Sequence, residues 1–191
     1  APLARNSAVW LADFERRLRA RGIELLVEQK GQMTFEAAGG PFTVKAFADR
    51  IELSATGGAV MDFKTGLPPT AKEMQAGFAP QLTLTGAILA AGGFEATRGP
   101  VEANELAYVR VVGRATPGEV AVRAVGAEAA ALSQSTLERL QRLVARFDDE
   151  SQPYQSWVAP KYLLKSLGGS YDRLARVWEW HVIGADGEEG E

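Results

Sequence analysis

Apolar and polar positions alternate along the chain with two different periods. Trp10, Phe14 and Leu18 recur every four residues, which predicts a helix over residues 7–21, capped by Asn6 or Ser7 and closed by Gly22. The period then falls toward two. Ile23–Gln29 and Met33–Ala37 read as short strands separated by a turn at Gly31, and after a turn at Gly39-Gly40-Pro41 a long strand runs from Phe42 to Leu53. Ser54-Ala55-Thr56-Gly57-Gly58 has the composition of a hairpin connection, leading into a strand over Ala59–Lys64 that Thr65-Gly66-Leu67-Pro68-Pro69 ends. Helical spacing returns with Thr70 capping a short helix through Gln75, and with a second helix opening near Pro80 whose Gln81, Leu84, Thr85 and Ile88 share one face. Gly92-Gly93 ends that helix. Strands over Leu106–Val112 and Val120–Val125 follow, separated by a Pro117-Gly118 turn. Ser135 and Glu138 form a capping-box string that opens a packing helix with Leu137, Leu140, Val144 and Phe147 on its apolar side. Residues 148–160 read as a polar connector, 171–180 as an aromatic helix and 184–191 as a disordered acidic tail. The expected organisation is one α/β domain over residues 1–183, without repeats.

Composition narrows the chemistry. With 191 residues and 46% hydrophobic content the chain can bury a core, and 24% charged residues argue against disorder. The absence of cysteine excludes disulfides, thiolate metal sites and cysteine nucleophiles. The single histidine, His181, leaves no multi-histidine zinc site and little room for a Ser-His-Asp triad. No apolar run is long enough to span a membrane and the start lacks a charged-then-apolar leader pattern, so the expected compartment is the cytoplasm. A net charge of -3 means that any nucleic-acid contact must come from a local patch or a partner. Arg16, Arg17, Arg19 and Arg21 cluster on the first helix, either as a solvated face or as a phosphate-contacting patch.

The informative charges sit on the hairpin. Asp62 and Lys64 are two residues apart on a strand and project from one face, and an even-numbered loop at 54–58 puts Asp49 on the same side. Two carboxylates and an ammonium there suit either a hard-cation site with a lysine beside it or a simple surface salt bridge. Glu28 reads as an edge residue or an accessory acid, and Gln81 as a buried amide or a residue orienting the site. Lys64-Thr65-Gly66 is no phosphate-binding loop, because G-x-x-x-x-G-K-[ST] is absent, and no ATP site is expected.

The order of these parts resembles the RecB-type nuclease module of the PD-(D/E)XK superfamily. In that family G-R-x-D-R-x-D is followed by D-Y-K-T-G and then Q-x-x-x-Y; here Ala48-Asp49-Arg50-Ile51-Glu52 precedes Asp62-Phe63-Lys64-Thr65-Gly66, and Pro80-Gln81-Leu82 opens a helix. The resemblance implies a central mixed sheet flanked by helices and Mg²⁺-dependent DNA cleavage, with Mn²⁺ as a substitute. Asp49 and Asp62 correspond to the metal-binding acids, with the Phe63 carbonyl a third candidate ligand, Lys64 to the catalytic lysine and Gln81 to the helix glutamine. Gly92-Gly93-Phe94, the strand 105–110 and the segment 171–180 look like the C-terminal end of AddB, a subunit of bacterial helicase–nucleases that process double-strand breaks. The cysteine-free form is similar to the alphaproteobacterial type. The implied partners are DNA and an AddA-like subunit, with no membrane. This chain differs from the pattern in carrying Ala46 and Phe47 for the usual glycine and arginine, Thr85 for the helix tyrosine, and no histidine before His181. The missing upstream histidine motif is expected before Ala1, on a longer protein. A catalytically degenerate module that scaffolds a complex or guides single-stranded DNA is the competing expectation.

Overall fold

A computed structural model describes residues 2–19, 24–112 and 117–153. The elements run α1 (Pro2–Arg19), β1 (Glu24–Ala37), β2 (Gly40–Ser54), β3 (Gly57–Lys64), α2 (Ala71–Gln75), α3 (Gln81–Ala90), a 3-10 turn (Glu95–Thr97), β4 (Ala103–Val111), β5 (Gly118–Val125) and α4 (Gly126–Phe147). One mixed sheet has the order β1-β2-β3-β4-β5. Among the described residues β3 and β4 pair in parallel and the other neighbours are antiparallel. A parallel pair needs a crossover, and α2 and α3 supply it. The α/β architecture with a mixed sheet and flanking helices is therefore the one expected.

Alternation along the strands sends side chains to two cores. Ile51, Val60, Leu106 and Tyr108 pack with Leu82, Ile88 and Leu89 of α3 and Ala129 of α4. On the opposite face Met61, Ala107 and Val109 pack with Phe14 and Leu18 of α1. Successive residues of β3 and β4 thus serve different layers, as the pleat requires.

Several local expectations are corrected. Gly31 is no turn: β1 runs unbroken and pairs with β2 from Glu24↔Leu53 to Ala37↔Gly40. The glycine is needed because a Cβ there would run into the Phe94 ring. Helix α1 starts at Pro2, so Ser7 lies inside it, and the Ser7 hydroxyl donates to the Val112 carbonyl (3.1 Å). Ser135 sits in mid-helix and donates back to the Leu132 carbonyl (3.1 Å); α4 begins nine residues earlier, at Gly126. Helix α3 is buried on nearly every side rather than along one stripe, with Leu82, Thr83, Gly86, Ala87 and Leu89 buried as well as Thr85 and Ile88. Thr70 does cap α2, in a reciprocal capping box with Glu73.

The chain divides at Asp149/Glu150. The expectations for Gly22 and Ile23, the greater part of the connector at 148–160, the helix at 171–180 and the tail at 184–191 lie outside the described residues.

Candidate functional site

Strand alternation slips in the middle of β2. Along β2 the residues serving the α3-side core are Val44, Ala46 and Ala48, then Ile51 and Leu53. Across from this slip, Glu28 of β1 takes a left-handed backbone conformation with φ 50°. Such a φ is uncommon for a glutamate and re-aims the strand. Asp49 sits at the slip. The β2–β3 ladder ends at Arg50↔Met61, and beyond it Asp49 Oδ2 accepts the Phe63 backbone N–H at 2.8 Å. A carboxylate thus takes over where the backbone partner is lost.

On β3, Asp62 is only 4% exposed. Lys64 Nζ lies 2.6 Å from Asp62 Oδ2, Gln81 Nε2 donates to Asp62 Oδ1 at 2.6 Å, and Lys64 Nζ donates to Gln81 Oε1 at 3.1 Å. The three side chains close a triangle. Gln81 reaches it because it is the first residue of α3, after Pro80, where the crossover returns to the sheet. Burial pushes the Asp62 carboxyl above its usual pKa; Lys64 opposes this, the negative charge of Asp49 adds to it, and the Gln81 hydrogen bond opposes it.

Two residues around the triangle were not singled out from sequence. Tyr108 pairs with Asp62 across β3–β4, is 1% exposed, and has its ring centroid 5.8 Å from Lys64 Nζ. Its hydroxyl pKa is pushed up to about 12 by burial first and by the Asp62 charge second. Arg123 of β5 places its guanidinium carbon 5.9 Å from the same ring and donates from Nε to the Pro69 carbonyl at 2.6 Å. Nothing in the local string Val122-Arg123-Ala124 marks that arginine. Glu28, by contrast, lines an open groove with Lys30, Lys45 and Phe47.

Among the described residues no group of three or more His, Cys, Asp or Glu side chains gathers at one point. The donors available are two carboxylates, and a main-chain carbonyl can join them. That all-oxygen set fits a hard cation such as Mg²⁺, which takes few protein ligands and keeps waters or substrate oxygens. A cation would also relieve the repulsion between Asp49 and the buried Asp62. None of the described helices is long and apolar enough to cross a membrane.

A family model, the PD-(D/E)XK nuclease superfamily, matches residues 2–159. An uncharacterized protein of Rickettsia felis is 37% identical over 90 residues, which is 47% of this chain and 10% of that protein. Another, of Rickettsia bellii, is 30% identical over 119 residues, 56% of this chain and 14% of that protein. The chain therefore spans only about a tenth of the length of these relatives. The crystal structure of SSO0001 aligns over 81% of this chain and 64% of its own with 14% identity and a TM-score of 0.38, too distant to carry any inference. With a family match across most of its length, and with the α/β fold that family implies, this chain belongs to the PD-(D/E)XK nuclease superfamily.

Proposed function

We propose that this chain is the Mg²⁺-dependent DNA-cleaving domain of an AddB-like helicase–nuclease subunit acting in recombinational repair of double-strand breaks. The observation that carries the reading is the buried Asp62 held between Lys64 and Gln81 with Asp49 alongside. Asp49 and Asp62 would hold the ion, with the Phe63 carbonyl as a third oxygen. Once bound, the ion neutralises phosphate charge and acidifies a water. The Lys64 side chain is 32% exposed, so its ammonium can turn from Asp62 toward a phosphate oxygen and stabilise negative charge as it develops. Gln81 holds Asp62 in one rotamer and offers its amide oxygen to Lys64, so both reactive groups keep their orientation while the ammonium moves. The AddB-like role, an AddA-like partner and a cytoplasmic setting rest on the motif order and on the C-terminal resemblance.

One observation favours a non-enzymatic alternative. Asp62 Oδ1 already accepts from Gln81 and Oδ2 already lies in ion-pair contact with Lys64, though without an aligned hydrogen bond, an arrangement that a degenerate module guiding single-stranded DNA could retain. Cleavage of linear duplex and single-stranded DNA by the intact protein in Mg²⁺ separates the two. Asp62→Ala and Lys64→Ala should each lower the rate by at least about 10²-fold, the scale of losing a metal ligand or a transition-state charge partner. Unchanged metal-dependent cleavage in both variants would remove the assignment.

A further inference from the structure

Arg123 occupies an unusual position in the sheet. Leu106 pairs with Ala124 but Ala107 pairs with Val122, so Arg123 is the extra residue of a β-bulge on the edge strand β5. Bulges of this kind bend an edge strand and re-aim a side chain. The effect here is visible in packing: Ala121 and Ala124, of opposite parity, both serve the α3-side core, and the arginine between them lies near the Tyr108 ring in that same layer. Tyr108 in turn is the β4 neighbour of Asp62. The ring therefore has Lys64 at 5.8 Å and Arg123 at 5.9 Å from its centroid.

The arrangement exceeds what a structural strap would need. The Nε bond to Pro69 uses one of five guanidinium donors and sets the plane of the fork. Among the described residues no carboxylate forms an ion pair with Arg123. The segment it tethers leads directly from Lys64, Leu67 within it is 84% exposed, and Arg123 itself is half-buried. Meanwhile Asp49, Asp62 and Lys64 together carry one net negative charge, which by itself repels a polyanion.

We infer that Arg123 is a substrate-binding residue that contacts a nucleic-acid backbone phosphate next to the one received at Asp62 and Lys64. The role rests on the nuclease reading above and deepens it by naming where the strand is gripped. Contacts of this sort position the strand and carry no sequence information.

The test is equilibrium binding of a fluorescein-labelled DNA strand and its duplex to the intact protein in EDTA, where metal-dependent cutting is suppressed, over a series of salt concentrations. Arg123→Gln should weaken binding about tenfold, equally for two unrelated sequences, and make the slope of log K against log[salt] shallower by about 0.7–0.9. Arg123→Lys keeps the charge but loses the fork, and should keep the slope of the wild type. Should Arg123→Gln bind with the wild-type slope, the contact is overturned and the nuclease reading stands. The same follows if Arg123→Lys, melting like the wild type, shows the shallow slope. Failure of the wild type to bind either DNA overturns the contact, while the nuclease reading is decided separately by cleavage in Mg²⁺.

Discussion

The two faces of the β2–β3 hairpin gather the same charges, one of them supplied by Glu15 of α1, in different arrangements. Toward α1, Arg50 lies between two carboxylates: Nε is 2.6 Å from Glu52 Oε1 and Nη1 is 2.5 Å from Glu15 Oε1, with the guanidinium carbon 5.6 Å from the Phe14 ring centroid. Toward α3, Lys64 pairs with Asp62, while Asp49 accepts a main-chain N–H. Each face has two carboxylates and one cation. In the first the cation bridges both acids and ties α1 to the sheet. In the second it is bound to one acid only, and the buried member, Asp62, has its pKa raised. Charge inside a fold is thus a poor sign of function; charge left with unresolved repulsion at the end of a strand ladder is a better one.

The α1 face is most vulnerable at Arg50. Arg50 and Glu52 are 2% and 5% exposed, so Arg50→Met leaves a buried carboxylate without its cation and should cost about 3–5 kcal/mol in urea melts. A wild-type midpoint in that variant would deny the first face its structural role.

Asp62→Asn should move stability the other way. The native state binds the Asp62 proton more tightly than the unfolded chain, whose value is near 3.8. The stability from that tighter binding is full below 3.8 and is lost as pH rises through the raised native value. At neutral pH the variant escapes this loss, keeps the Gln81 contact, and leaves Lys64 free to hydrate. That relief should raise Tm above the wild-type value at neutral pH. The gain should shrink toward zero as pH falls to the unfolded-state value. A variant that melts lower than the wild type at neutral pH would show that the Lys64 pair outweighs burial.

The smallest expected effect sharpens the first face. The Glu15 side chain is 26% exposed, so solvent screens its pairing with Arg50, and Glu15→Gln should cost only about 0.5–1 kcal/mol in the same melts. A loss as large as that at Arg50 would relocate the lock from Glu52 to the helix.

How much of this could be read beforehand follows from what each signal encodes. Thr70, the hairpin at 54–58 and the Asp62–Lys64 pair are set by local rules of capping, turn formation and strand parity, and they stand as expected. Gly31 departs from its expected turn because a glycine that opens room for a ring looks the same in sequence as one that permits a turn. Ser135 and Glu138 spell a capping box, yet Val125 and Gly126 start the helix earlier. The Arg50–Glu15 pair joins residues 35 apart, and the bulge that aims Arg123 arises from pairing with β4; neither leaves a trace in neighbouring residues. Asp49 marks the boundary, since its place beside the site depends on the slip at Glu28 and Ala48 as much as on its own strand.

The most direct measurement is a calorimetric titration of Mg²⁺ and Mn²⁺ into the intact protein, its Asp49→Ala variant and its Glu15→Gln variant. The wild type should show a binding heat that Asp49→Ala abolishes and Glu15→Gln preserves. Equal heats in the wild type and Asp49→Ala, or none in the wild type, would contradict it.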